Sequence, residues 1–324
     1  MLSIICPTYN QGQYLEQGLN SILMQKTDFT YEVLVGEDCS PDNSLELLKN
    51  YQSKFDEKEH AAFQIFHREQ NLRQSKNVYD LFQRTRGKYV CILDLDDFWT
   101  DDQKLQKQVD FLENHPEYIG VACDFDIVNK EGEPVLSKDN QTVKEFLNKD
   151  FTLQDFLDKG FVFQTGTFLY HNIWKEKNEK QEDYSILYKA DHTVIDLTIY
   201  SMLLQMSNIY IMQDKMSAYR VVISTDATNA RSIGEKDLAY DMYTLSEQLR
   251  ILYQYFDKKI DYSTRWSNLI WRYMKGLLAK GDHRYHVGQW LSMFFRSSAR
   301  SKQRFLSDIG KSISRAAGRL FKHK

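Results

Sequence analysis

Asp94, Asp96 and Asp97 stand directly behind the apolar run 90–93, and the aromatic pair Phe98 and Trp99 follows them. Three carboxylates within four residues repel one another and raise each other's pKa. A hard divalent cation relieves that conflict, because Mg2+ and Mn2+ take carboxylate and phosphate oxygens. Two other apolar runs also end in polar groups, one in Thr8, Tyr9 and Asn10, the other in Glu37 and Asp38. Ligands of open α/β sheets lie at the carboxyl ends of the strands. Three such ends in one parallel sheet converge on a crevice suited to a metal and a diphosphate. Asp101 and Asp102 are different: acids at the start of the next helix need no more than a capping role. Three acids at 94–97 exceed what a cap needs.

The elements that position these groups follow from periodicity. Residues 2–10, 31–37, 63–68 and 88–93 read as strands, the first and the run 90–93 as buried ones. Between them, helical spacing appears at Tyr14, Leu15, Leu19, Ile22 and Leu23, then over 43–51 and 75–85, with Ser40, Pro41 and Asp42 as a start for the second helix. This alternation predicts βαβ units. Past residue 117 the order loosens. A strand is expected over 118–129, a turn over 129–134, a helix over 153–160 closed by Gly160, a strand over 165–171 and a helix over 192–205. Residues 235–324 read as nearly all helical.

The 324 residues are 42% hydrophobic and 27% charged, ordinary for a globular protein and enough for one large α/β domain with a C-terminal extension. Cys6, Cys39, Cys91 and Cys123 form no CxxC and have no His at metal spacing, so reduced thiols in a cytosolic protein are expected. Residue 2 already opens an apolar strand with no cationic leader before it, and no window of ~18 apolar residues occurs, so neither a signal peptide nor a spanning helix is expected. The net charge of −3 conceals a basic segment, residues 265–324, with 14 Lys and Arg against 2 acids. Such a tail on an acidic body suits a polyanionic partner.

Taken as an ordered set, the motifs resemble family 2 glycosyltransferases of the GT-A fold, of the bacterial polysaccharide-biosynthesis type. The set comprises "PTYN" at 7–10, "EDCSPDNS" at 37–44, Asn71, "SKN" at 75–77, "GKY" at 87–89 and "LDLDD" at 93–97. Glu37 stands where that family has Asp, and Cys39 where it has Gly. The resemblance implies an α/β fold of GT-A type: a Rossmann-like, mainly parallel sheet flanked by helices, with a helical C-terminal extension. It divides the chain into a nucleotide-sugar-binding half (1–125), an acceptor-binding half of the same domain (126–230) and a helical region (231–324). It also implies that Pro7, Thr8 and Tyr9 line the base pocket and that Glu37 and Asp38 lie at the nucleobase. Lys76 would sit near the donor, and Asp94 would face base or ribose. Asp96 and Asp97 would hold Mn2+ or Mg2+ with the diphosphate. The segment 188–200 resembles the family's base-bearing helix start, which makes Asp191 the general base, with Ala190 in place of a common Glu. Tyr219 and Arg220 resemble a following motif, with Arg220 a donor contact and Val222 where the family has His.

The function this implies is metal-dependent, inverting transfer of a sugar from a nucleotide-diphosphate sugar, a UDP-sugar foremost. The acceptor would be a hydroxyl of a lipid-linked or polysaccharide glycan in cell-surface synthesis, such as capsule. The rivals are a nucleotidyltransferase, for which no Gly-rich phosphate loop appears near residue 10, and an inactive nucleotide-sugar-binding protein, against which the intact acids argue. Residues 304–322 place Phe305, Ile309, Ile313, Ala316, Ala317, Leu320 and Phe321 on one stripe. Lys311, Arg315, Arg319 and Lys322 flank it, and Trp290, Phe294 and Phe295 precede it. A basic amphipathic helix of this kind suits an anionic membrane surface at the inner face of the cell membrane. Nucleic acid is not expected, because no binding motif accompanies the charge.

Overall fold

The computed structural model describes residues 1–135, 141–190, 195–221, 237–279 and 283–322, with 312–322 as backbone only. The chain forms two compact units, Met1–Thr228 and Asn229–Lys324.

In the first unit, β1 (Leu2–Thr8), β2 (Tyr31–Glu37), β3 (Ala61–His67) and β4 (Tyr89–Ile92) lie in the order β3-β2-β1-β4, all parallel. β1, β2 and β4 are buried along their whole length, which is why they read as unbroken apolar runs rather than alternations. The crossovers are α1 (Gly12–Leu23), α2 (Ser44–Asp56) and α3 (Gln74–Phe82). Ile4, Cys6, Val33, Val35 and Cys91 of the sheet share one core with Leu15, Leu19 and Ile22 of α1 and Leu48 and Phe55 of α2. α2 starts at Ser44, not at Pro41. Asp42 Oδ1 accepts from the Ser44 backbone N–H (3.1 Å) and hydroxyl (2.6 Å), which leaves Pro41 in the turn.

The rest of this unit adds β5 (Phe98–Trp99), α4 (Lys104–Asn114), β6 (Gly120–Val128), α5 (Gln141–Lys144), β7 (Lys149–Phe151) and α6 (Leu153–Lys159). β8 (Leu169–His171), α7 (Ile173–Glu179), α8 (Ile186–Lys189), α9 (Ile195–Leu203) and β9 (Ile209–Arg220) follow. β8 runs antiparallel to β4 and β6, and β6 is parallel to β9, which pairs antiparallel with β5 and β7. The parallel order therefore holds for the first four strands and gives way to a mixed arrangement beyond. In the strand expected over 165–171, Thr165–Thr167 is a 3-10 turn and only the last three residues pair.

The second unit holds the helices Leu238–Tyr255, Ser263–Leu278, Val287–Arg296 and Ala299–Lys322. Trp266 Nε1 donates to Ser246 Oγ (2.7 Å), and Tyr273 Oη donates to Gln289 Oε1 (2.5 Å). Among the described residues no helix is long and apolar enough to cross a membrane.

Candidate active site at the strand carboxyl ends

The acids behind β4 form a turn: the Asp97 N–H donates to Asp94 O (2.9 Å). Leu93 and Leu95 are fully buried, so the alternate Asp94 and Asp96 come to the other side, half-buried. Asp97 is 6% exposed. Both flanks are anchored, with Leu93 N–H on Ile5 O (3.0 Å) and Trp99 Nε1 on Gly166 O (2.8 Å). Gly18 of α1 lets the helix lie against this turn, since a Cβ there would come within 3.0 Å of Leu95 O and 3.1 Å of Asp97 O. Burial drives all three carboxyls upward, Asp94 and Asp97 well above the usual carboxylate range. Repulsion from Asp96 adds to the shift at Asp94 and Asp97.

Arg220, the last residue of β9, is 2% exposed and knits the turn to its surroundings. Its backbone N–H donates to Asp97 Oδ1 (2.8 Å), and Nε donates to Asp96 O (2.7 Å). Nη1 reaches Asn129 O (3.0 Å) and Lys130 O (2.6 Å), and Nη2 reaches Gln17 Oε1 (2.6 Å). The guanidinium also lies over the Tyr14 ring at 4.6 Å. Four of its five N–H donors thus go to protein acceptors.

Thr8 and Glu37 are register neighbours, and the Asp38 N–H donates to Thr8 O (2.9 Å), so the ends of β1 and β2 are locked together. Pro7 and Thr8 are buried, while Tyr9 is 41% exposed. Glu37 is fully buried and organises the turn: Oε1 accepts from the Ser40 N–H (2.7 Å), and His67 Nδ1 lies 2.6 Å from Oε2. The neighbouring Cys39 has φ +60°, the left-handed conformation that Gly adopts freely. Asp38 Oδ1 accepts from the Leu72 N–H (2.7 Å), and burial still raises its pKa.

Sequence reasoning missed Arg68, which lowers the Asp38 pKa through its charge and pairs with Asp80 at 2.5 Å. It also missed Asn77 as a brace, with Nδ2 donating to Gly36 O (2.7 Å). The available signal was that "HR" at 67–68 ends β3 as the acids end β2 and β4. Lys76 is exposed, with its ammonium 5.8 Å from the Tyr188 ring centroid. Tyr188 also meets Tyr79 edge-on at 5.0 Å. This contact joins α3 to α8, which ends just before the segment carrying Asp191. Asp191 lies outside the described residues.

The structure therefore brings Thr8, Glu37, Asp38, Asp94, Asp96, Asp97 and Arg220 to the carboxyl edge of one sheet. Among the described residues no group of three or more His, Cys, Asp or Glu is arranged to hold a metal ion. The donor chemistry still fits a hard cation, because Mg2+ is commonly held by one or two carboxylates plus substrate phosphates rather than by an all-protein cage. Asp96 and Asp97 would hold it, with one Asp97 oxygen already engaged by Arg220.

The sequence model of Glycosyl transferase family 2 matches residues 3–173, and the chain belongs to that family. TuaG of Bacillus subtilis, assigned provisionally to teichuronic acid biosynthesis as a glycosyltransferase, is 28% identical over 164 residues, 50% of this chain and 59% of that protein. The chain spans about half the length of the curated relatives it matches. S. aureus TarS 1–349 in complex with UDP-GlcNAc superposes with a TM-score of 0.51 at 16% identity, covering 94% of this chain and 92% of that one. The mannosyltransferase PcManGT of Pyrobaculum calidifontis, in complex with GDP-Man and Mn2+, gives 0.51 at 11% identity, covering 96% and 80%. These likenesses establish the GT-A fold.

Proposed function

We propose that this chain transfers a sugar from a UDP-sugar to a hydroxyl of a lipid-linked or polysaccharide acceptor, with inversion and with help from Mn2+ or Mg2+. The acid turn at 94–97, held at the same sheet edge as Asp38, carries the reading. Buried, mutually repelling carboxylates braced by Arg220 favour a divalent cation over none. The relatives support the donor class, since TarS is seen with UDP-GlcNAc and PcManGT with GDP-Man and Mn2+.

Asp38, fixed by the Leu72 N–H, reads the base edge. Pro7, Thr8 and Tyr9 wall the base, and Lys76 lies near the donor. A bound metal would neutralise charge on the leaving diphosphate. Asp191 takes the proton of the acceptor hydroxyl. Direct attack of the acceptor hydroxyl on the sugar, with Asp191 as its base, is a single displacement and inverts the anomeric centre. The acceptor half is 126–230, and the helical region brings the enzyme to the cytoplasmic face of the membrane.

A thermal-shift screen of UDP-, GDP- and dTDP-sugars with and without Mn2+ tests the reading. The expected result is a rise in melting temperature with UDP-sugars that Mn2+ enlarges. No shift with any nucleotide sugar would overturn it.

A further inference from the structure

The helix Val287–Arg296 is apolar on two sides. One side belongs to the core of its unit: Met293 is fully buried, and the rings of Trp290 and Phe294 pack on Phe305 at 6.2 and 5.6 Å. Phe305, expected on the outward stripe of the tail, is itself 2% exposed, and the side chains of 312–322 lie outside the described residues. The other side of the helix carries Val287, Leu291 and Phe295, which recur every four residues and so fall on successive turns. They are 62, 39 and 67% exposed. A Cβ at the neighbouring Gly288 would meet nothing within 4 Å, so that flank is low in relief. Lys302 Nζ donates to Phe295 O (2.9 Å), and one turn further Leu306 is 57% exposed. Exposed apolar stripes of this kind mark interaction sites.

We propose that this stripe lies on an anionic bilayer, Val287, Leu291 and Phe295 entering the headgroup boundary. Charge selects the occupant. Residues 283–324 carry ten Lys and Arg against one Asp, and with Arg296 and Arg300 paired to Glu247 and Asp261 of the same unit, each at 3.1 Å, a large cationic excess still stands. A second copy would bring the same cations to the contact, whereas anionic headgroups complement them. The inference rests on and deepens the membrane location proposed above, and it adds a face whose side chains are exposed.

The test is co-sedimentation of the full chain with phosphatidylglycerol vesicles and with phosphatidylcholine vesicles, at low and high salt. Wild type and the triple variant Val287→Ser, Leu291→Ser, Phe295→Ser are compared, with Phe295→Ser alone as a milder partner. Binding is expected for phosphatidylglycerol at low salt, weakened by salt. It should fall about tenfold or more in the triple variant and by less in Phe295→Ser. Unchanged circular dichroism and melting identify the loss as surface chemistry. Equal binding of wild type and both variants would overturn the docking face while leaving a membrane location standing. No binding by wild type would overturn both. Self-association without vesicles that disappears in the triple variant would assign the stripe to a second copy and overturn the bilayer.

Discussion

Arg220 stands where the resemblance places a donor contact, yet its guanidinium is engaged by Asp96 O, Asn129 O, Lys130 O and Gln17 Oε1. We read it as a positioning residue for the acid turn. Arg220→Lys keeps the charge and loses the fork, so it should raise the Mn2+ concentration needed for half-maximal UDP binding about tenfold or more. Nucleotide affinity in EDTA should stay as in wild type. Weaker binding of Arg220→Met in EDTA, restored by Lys, would make the residue a phosphate contact instead. The acids themselves are the sharper case. Asp96→Ala or Asp97→Ala should abolish turnover and metal-dependent donor binding, and wild-type turnover in both, or full activity in excess EDTA, would sink the metal reading. Asp191→Asn should leave calorimetric donor binding intact and slow transfer about 100-fold or more, as loss of a general base does. A near-native rate would reduce it to a helix cap. The acids were legible because carboxylates behind an apolar run are improbable on any bland account. The bonding of Arg220 was not, because three of its acceptors are backbone carbonyls of loops distant in sequence, and no side-chain pattern announces them.

Elements were legible in proportion to how local their determinants are. β1 to β4 and α1 to α3 follow from apolar runs and helical spacing within about a dozen residues. β5 is two residues long and exists only because β9 pairs with it. β9 interrupts its apolar pattern at Gln213, Asp214 and Lys215, where its register against β6 shifts. Such pairings are decided by distant neighbours rather than by intrinsic preference. Two substitutions test how elements hold the site. Gly18→Ala favours the helix by up to about 1 kcal/mol. It also presses a methyl on carbonyls of the acid turn. Melting should change little, while Mn2+-dependent UDP binding weakens, and unchanged binding would show that the turn yields freely. Cys39 occupies a left-handed conformation that costs a non-glycine residue about 1 kcal/mol or more. Cys39→Gly should therefore melt at or above wild type and Cys39→Val below it, and the reverse order would mean that the turn relaxes in solution.

At the scale of the whole molecule, the buried acids make stability depend on pH in a direction opposite to that of most carboxylates. Asp38, Asp94, Asp96 and Asp97 have pKa values raised by burial, so the folded chain keeps protons that the unfolded chain releases. Their contribution is full below the unfolded value near 3.8 and is lost as pH rises through the raised folded values. His171 opposes this: burial lowers its pKa, so its contribution grows as pH rises toward 6.5. Asp80, Asp101 and Asp183 have lowered pKa values, so their contribution is full above the unfolded value near 3.8 and is lost only as pH falls below it. Asp94 and Asp97, pushed well above the usual carboxylate range, carry the effect furthest up the pH scale, and the ligand-free chain should melt a few degrees lower at pH 7.5 than at 5.5. Mn2+ with UDP should favour the charged acids, so the stabilisation it gives should be larger at pH 7.5 than at 5.5. Asp97→Asn removes one titrating group and should flatten the ligand-free slope. The measurement is melting by circular dichroism across that range, with and without Mn2+ and UDP. A ligand-free melting temperature that rises with pH, or a slope unchanged in Asp97→Asn, would place the protons elsewhere in the molecule.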